Sequence, residues 1–287
     1  MDNERVRELH PCFGARQNRG RIHLPVCPGC NIACRFCDRQ QNDVEQRPGV
    51  ASCLIQPEEA AEYVARARRF CPELSVVGIA GPGDTLASDR ALETFRAIGR
   101  RFPDLLKCMS TNGLLLDERA DELIELGLDT LTVTVNAVDP AIGAQIVRGI
   151  TYHGRHYSGE EAATILIQNQ LAGIHKVAAA GMLVKVNTVL IMEINSFHIK
   201  EIARQVAAAG AQLYNIIPLI PQAELKDCRV PTCPEIERAR AEAAPYIDVF
   251  RHCQRCRADA VGVPGKSECG RQVWQNALRV RETFSHG

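Results

Sequence analysis

The sequence predicts an α/β protein, an open (β/α)6 partial TIM barrel with extensions at both ends. Three observations predict it. Strand-like and helix-like stretches alternate six times with short connections, and parallel neighbours need helical crossovers of this kind. Six units are too few to close an eight-stranded barrel. Cysteines, asparagines and glycine-rich turns recur at the C-terminal ends of the strands, the face where barrel enzymes place their chemistry. A chain of 287 residues, 46% of them hydrophobic, is long enough to build one sizeable core.

Residues 1–20 are polar and read as an irregular N-terminal extension carrying His10-Pro11-Cys12. The first strand, 21–26, delivers a cysteine-rich loop at its end. Residues 38–53 are polar, with a turn at Arg47-Pro48-Gly49. Pro57 opens a helix running to Phe70, since proline is tolerated in the first helical turn. Residues 74–80 form a buried strand ending in Gly81-Pro82-Gly83-Asp84, and a helix follows over 89–101. The third strand, 105–110, ends in Thr111-Asn112-Gly113. Asp117 is the expected N-cap of the next helix and Gly127 its stop. Residues 129–136 alternate and are β-branched, a strand signature. Ser158-Gly-Glu-Glu161 has the form of a capping box before a helix reaching Gly181. The fifth strand spans 182–191. Ser196 is placed to cap a helix with Ile199, Ile202, Ala203 and Val206 on one face, and 212–217 is the sixth strand. From residue 222 the alternation breaks. The chain therefore divides into an extension (1–20), the partial barrel (21–221) and a C-terminal cap (222–287).

Basic and acidic residues balance at 34 each, so no basic field draws nucleic acid or an anionic membrane surface. The first twenty residues lack the apolar core of a signal peptide, and no apolar run approaches membrane-spanning length. Thirteen cysteines in such a chain point to a reducing cytoplasm and to metal binding before disulfides.

Cys30, Cys34 and Cys37 stand at CxxxCxxC spacing with Phe36 just before the last. Three thiolates in one loop hold three corners of a [4Fe–4S] cluster and leave the fourth iron open. A zinc knuckle would pair two ligand sets of similar strength, and a disulfide loop would need an oxidising compartment. The spacing resembles that of the radical S-adenosylmethionine (SAM) enzymes, in which SAM chelates the open iron and an electron from the cluster cleaves its sulfonium to release a 5′-deoxyadenosyl radical. At the strand ends, Gly81, Gly83 and Asp84 make either a plain tight turn or a backbone surface for the methionine amino group. Asn112 and Asn136 offer neutral hydrogen-bonding groups for ribose or carboxylate, with Thr111, Thr134 and Phe36 as further candidates for the cofactor.

The resemblance becomes narrower along the chain. His10-Pro11-Cys12, Arg21-Ile22-His23, Cys30-Asn-Ile-Ala-Cys34-Arg-Phe-Cys37, Arg47-Pro48-Gly49-Val50, Gly81-Pro82-Gly83-Asp84, Ser110-Thr111-Asn112-Gly113, Asn136-Ala-Val-Asp-Pro140 and Cys256-Arg-Ala-Asp-Ala-Val-Gly262 occur in order over residues 9–265. This set resembles the NifB family of nitrogenase cofactor-biosynthesis proteins. The resemblance is to its short, stand-alone forms, in which no NifX-like domain is expected to follow. The resemblance implies a carbide synthase. It fuses two further [4Fe–4S] clusters, bound as substrates, with a carbon from SAM and an added sulfur into an [8Fe–9S–C] precursor. One SAM gives its methyl group to a cluster sulfur, and a second supplies the radical that abstracts hydrogen from that methyl. Partners would be SAM, the precursor clusters, and the proteins of cluster delivery and cofactor maturation.

Carried over by motif, Cys30, Cys34 and Cys37 hold the SAM-cleaving cluster, His23, Cys253 and Cys256 one precursor cluster, and Cys12 and Cys108 part of the other. By spacing alone, His23 reads equally as a core histidine, Cys253 and Cys256 as a redox pair or half a zinc site, and Cys12 and Cys108 as ordinary thiols. Cys71, Cys228, Cys233 and Cys269 read as structural. The family has a third cysteine shortly before the Arg-Pro-Gly turn, where this chain has Asn42-Asp43-Val44. Cys53, whose loop can bend back, is favoured over Cys27 as a substitute, with a two-cysteine site or Asp43 as the alternatives. Two rival readings stand beside this one: another radical SAM enzyme with auxiliary clusters, and a non-catalytic iron–sulfur carrier.

Overall fold

The computed structural model describes residues 3–14, 18–38, 42–275 and 277. Residues 1–2, 15–17, 276 and 278–287 of the expected extensions, and 39–41 of the polar loop, lie outside the described residues. In chain order the elements are α1 (Asn3–Leu9), β1 (Gly20–His23), β2 (Ile32–Cys34), α2 (Ala60–Phe70), β3 (Leu74–Ile79), α3 (Arg90–Arg101), β4 (Leu106–Thr111), α4 (Leu116–Glu125), β5 (Thr130–Thr134), α5 (Pro140–Ile146), β6 (Val147–Tyr152), β7 (Arg155–Ser158), α6 (Gly159–Ala179), β8 (Leu183–Leu190), α7 (Ile199–Ala208), β9 (Leu213–Pro218), α8 (Cys233–Ala243), β10 (Asp248–Val249), β11 (Val261–Gly262) and α9 (Gly270–Val273).

One 8-stranded sheet runs in the order β10-β9-β8-β5-β4-β3-β1-β11. The six expected strands are β1, β3, β4, β5, β8 and β9, all parallel and in sequence order. The sheet is open, ending at β10 on one side and β11 on the other. Period-2 alternation decides its faces. Ile22, Val77, Ile79, Met109, Leu131, Val133, Val184, Val186, Tyr214 and Ile216 point outward into the core shared with the helices. The alternate positions, among them Arg21, His23, Cys108, Ser110, Thr132, Thr134, Lys185, Asn187 and Asn215, point inward around a cavity. Val76, Leu106 and Leu183, at the strand starts, pack with Val6 of α1 and Phe13 beyond it and close the barrel floor.

Several sequence expectations change. The N-terminal extension is not irregular throughout: residues 3–9 are helical, because Val6 has a hydrophobic slot under the sheet. Leu115, not Asp117, precedes α4, and Gly127 stops it with a φ of +63°. Ser158 stands at the N-cap of α6, yet its hydroxyl makes no capping hydrogen bond. The Ser196 hydroxyl donates back to the Met192 carbonyl and does not cap α7. Beyond residue 222 the alternation continues for one more unit, since α8 leads to β10, which pairs parallel with β9. A second, 3-stranded sheet, β2-β6-β7, was not legible in the sequence.

Candidate functional site

The inward positions and the loops above them surround one cavity of about 300 Å³. Cys12, His23, Cys30, Cys34, Phe36, Cys37, Gly83, Asp84, Cys108, Thr111, Asn112, Thr134, Asn136, Cys253 and Cys256 all line it. Gly81 does not; at φ +124° it shapes the turn that presents Pro82 and Gly83.

The CxxxCxxC loop is fixed by backbone on both flanks. On one side β2 pairs antiparallel with β6, Ile32 opposite Ile150 and Ala33 opposite Gly149. On the other, the Gly83 amide donates to the Cys27 carbonyl at 2.7 Å and the Asp84 amide to the Gly29 carbonyl at 2.8 Å. A Cβ on Gly83 would lie 1.9 Å from the Gly29 oxygen, so only glycine allows this approach. The buried Asp84 carboxylate accepts from the Thr111 hydroxyl (3.0 Å), the Asn112 amide (2.6 Å) and the Leu86 amide (2.9 Å). It thereby ties the end of β4 to the glycine turn. Asn112 Nδ2 in turn donates to Asn31 Oδ1 at 2.7 Å and reaches Cys30 Sγ at 3.7 Å. An N–H directed at a ligand sulfur, beside three thiols on one loop, fits a [4Fe–4S] cluster on Cys30, Cys34 and Cys37. Gln170 of α6, a position that sequence reasoning missed, donates to the carbonyls of Asn112 (2.7 Å) and Thr134 (2.9 Å). The side-chain oxygen of Asn136 accepts from the Val189 amide at 2.9 Å. These bonds lock the strand ends that face the candidate cofactor space.

The C-terminal segment returns to the start of the chain. β11 pairs antiparallel with β1, Arg21 opposite Gly262, which brings Cys253 and Cys256 to the cavity wall beside His23. His23 Nδ1 lies 2.9 Å from the Arg257 carbonyl. A carbonyl can only accept, so Nδ1 carries the proton and Nε2 keeps its lone pair, the arrangement of a ligating imidazole. Gly78, opposite on β3, leaves the ring its room: a Cβ there would come within 2.9 Å of His23 Cδ2. Arg21, buried, donates to the Gly262 carbonyl at 2.8 Å, to Glu268 at 2.8 Å and to Cys256 Sγ at 3.3 Å. Burial pushes the Cys256 thiol up, and the Arg21 charge opposes it. Arg257 and Asp259 form a buried ion pair at 2.8 Å, and Asp259 also takes the Ser52 amide and hydroxyl. That pair fastens the returning segment to the polar loop.

Burial, then the nearby Arg21 charge, brings His23 down to about 4. Since a free histidine titrates near 6.5, the unfolded chain binds a proton there that the folded chain refuses. The metal-free protein is therefore expected to lose stability as pH falls from about 6.5 toward about 4. Urea unfolding across that range measures the slope, and His23→Gln should flatten it; an unchanged slope would refute the buried neutral imidazole.

Cys12 and Cys108 face the cavity near its floor. Burial pushes Cys108 up to about 11, with Thr130 and Lys185 pulling the other way. Neither substitute for the missing third cysteine lines the cavity. Cys27 and Cys53 are each 1% exposed and sit in the outward core, and burial drives Cys27 up to about 12. Asp43 is exposed and lies outside the cavity wall as well. The preference for Cys53 thus finds no geometric support, because its loop turns into the helix-facing core. Among the described residues, no three His, Cys, Asp or Glu side chains gather tightly enough to share a single ion, and no helix is long and apolar enough to cross a membrane.

Residues 24–215 match the Radical SAM superfamily. The chain is 46% identical over 265 residues, 91% of its length and 87% of the relative's, to the FeMo cofactor biosynthesis protein NifB of Methanocaldococcus infernus. It is 45% identical, over 90% of its length and 87% of the relative's, to the protein of the same name from Methanocaldococcus jannaschii. Among solved structures, a radical SAM methyltransferase from Sphaerobacter thermophilus superposes with a TM-score of 0.60 at 19% identity, covering 80% of this chain and 65% of that one. Streptococcus suis SuiB bound to its precursor peptide SuiA gives 0.57 at 12% identity, over 80% and 48% of the two chains. The two structures share the open parallel-sheet fold.

Proposed function

The chain belongs to the radical SAM superfamily and, within it, to the NifB family of FeMo cofactor biosynthesis proteins, and from that premise we propose that it is a carbide synthase. It is a radical SAM enzyme with a role in nitrogenase cofactor biosynthesis. The proposed reaction joins two [4Fe–4S] substrate clusters with a SAM-derived carbon and a sulfur into an [8Fe–9S–C] product. The observation that carries this reading is that three separate sets of sulfur or imidazole donors open onto one cavity: Cys30, Cys34 and Cys37; His23, Cys253 and Cys256; Cys12 and Cys108. An enzyme that needed only SAM cleavage would have no use for the last two.

When bound on Cys30, Cys34 and Cys37, a [4Fe–4S] cluster supplies the electron for reductive cleavage of SAM. The chain's own residues set the rest. The Asp84–Thr111–Asn112–Asn31 chain holds the loop and the strand ends at fixed distance, so a reactive carbon and its target start close together. Gln170 and Asn136 use their amides on backbone, stiffening the wall opposite. His23 offers a neutral nitrogen ligand, more easily displaced than a thiolate, which suits a substrate cluster that must leave as product. The reading includes cluster-delivery and maturation proteins as partners and a cytoplasmic location, in keeping with thirteen cysteines in the chain.

The test is anaerobic reconstitution with iron, sulfide, dithionite and SAM labelled in its methyl carbon. The expected product carries the label and activates cofactor-deficient nitrogenase. Cleavage of SAM with no label in any iron–sulfur species would leave a radical SAM enzyme of another kind.

A further inference from the structure

Lys185 is the unexplained charge of this cavity. It sits on the inward face of β8, is 7% exposed, and lines the cavity wall. Among the described residues its ammonium has no carboxylate or hydrogen-bond partner; its contacts are the rings of Phe13 and Phe250, with Nζ 5.2 and 5.3 Å from their centroids. Two ring faces compensate only part of the loss of water around a buried cation. Arg21, the other inward basic residue of the sheet, shows the contrast, since it has Glu268, a carbonyl and a thiol around it.

A second buried donor stands beside it. His10 is 3% exposed and lines the same cavity. Its Nδ1 accepts from the Cys12 amide at 3.0 Å, so in the neutral ring the proton is on Nε2. Among the described residues that Nε2 has no partner. His10 is therefore the opposite of His23: the tautomer that makes His23 a ligand makes His10 a donor. Lys185 is close enough to influence His10, His23 and Cys108 electrostatically. Two donors with no hydrogen-bond partner among the described residues thus line the same cavity as the thiols Cys12 and Cys108, which Cys27, Cys53 and Asp43 do not line.

We propose that Lys185 and His10 form a positioning clamp for the precursor cluster held by Cys12 and Cys108, donating N–H hydrogen bonds to its sulfides or ligand thiolates in place of a third protein ligand. This rests on the reading that Cys12 and Cys108 hold a substrate cluster. The ligand recognised is a sulfide-rich anion, and the cluster is its source here, because the clamp stands next to two thiols that bind iron and not sulfide. Charge-assisted hydrogen bonds of this kind are the strong ones, and donors to cluster sulfur favour the reduced state.

The experiment uses full-length protein in which Cys30, Cys34, Cys37, Cys253 and Cys256 are replaced by alanine, so that one cluster site remains. Iron content, chelator-driven iron loss and the midpoint potential are compared for Lys185, Lys185→Met, Lys185→Arg and His10→Phe, with circular dichroism as the check on folding. Lys185→Met is expected to lose iron roughly tenfold faster, the size of one charge-assisted hydrogen bond, and to show a more negative potential. Lys185→Arg should keep most of both properties, and His10→Phe should shift the potential in the same direction. Equal retention and equal potential in Lys185→Met would overturn the clamp while leaving the cluster site intact. If the parent with Lys185 holds no cluster, the underlying reading fails and the clamp with it. If Lys185 instead retains added hydrosulfide with no iron bound, and Lys185→Met does not, the site serves a free anion and the proposal is wrong.

Discussion

Replacing Cys30, Cys34 and Cys37 together with alanine is expected to abolish 5′-deoxyadenosine formation under dithionite and to remove about four of about twelve irons per fully loaded chain. The three thiols occupy one loop, and the other donor sets come from the segment after α1, from β1 and β4, and from the returning C-terminal segment, so their iron should remain. A collapse of the loop is not expected to confuse the result. Its position is held by backbone pairing between β2 and β6 and by the amides of Gly83 and Asp84, none of which uses a cysteine side chain. The contact from Asn112 Nδ2 to Cys30 Sγ is lost, and that nitrogen keeps Asn31. Undiminished cleavage of SAM in the triple variant, with native circular dichroism, would exclude this loop as the radical site.

The six parallel strands were legible because each alternates or runs apolar for several residues and is followed by a helix with a clear face, as with Leu92, Phe95 and Ile98 of α3. Helix α1 was not, since seven residues with a single buried side chain, Val6, give no period to detect. The β6–β7 hairpin escaped for a related reason: its partner β2 is three residues long and lies inside the cysteine loop. At the site, spacing made the CxxxCxxC loop readable, and order along the chain made the remaining donors readable as a family pattern. What neither could supply was contact across long separations. Arg257 meets His23 from 234 positions away, and Arg21 meets Cys256 from 235. Gly78 carried a signal of its own, a glycine inside a buried strand, which marks a close approach by something else. Lys185 carried one too: a lysine between two valines of a buried strand is out of place unless something inside needs its charge.

Separating SAM cleavage from product formation is the outcome expected of the Cys253→Ala/Cys256→Ala variant. Both thiols are brought to the cavity by the antiparallel pairing of β11 with β1, whereas the radical loop is seated by the β2–β6 pair. Their loss leaves His23 as the sole ligand of that set, and one neutral nitrogen cannot retain a four-iron cluster against solvent and thiols. About four irons should be lost, 5′-deoxyadenosine should still form, and transfer of product to cofactor-deficient nitrogenase should fall below detection. The fold is expected to persist, because Arg21 loses one sulfur contact yet keeps Glu268 and the Gly262 carbonyl, and the Arg257–Asp259 pair still fastens the segment. His23→Ala provides the graded comparison. It removes the labile ligand and retains both thiolates, so iron should be held at least in part while the yield of product drops. Full product from the double cysteine variant would return this pair to a structural role and leave the imidazole without a cluster to ligate.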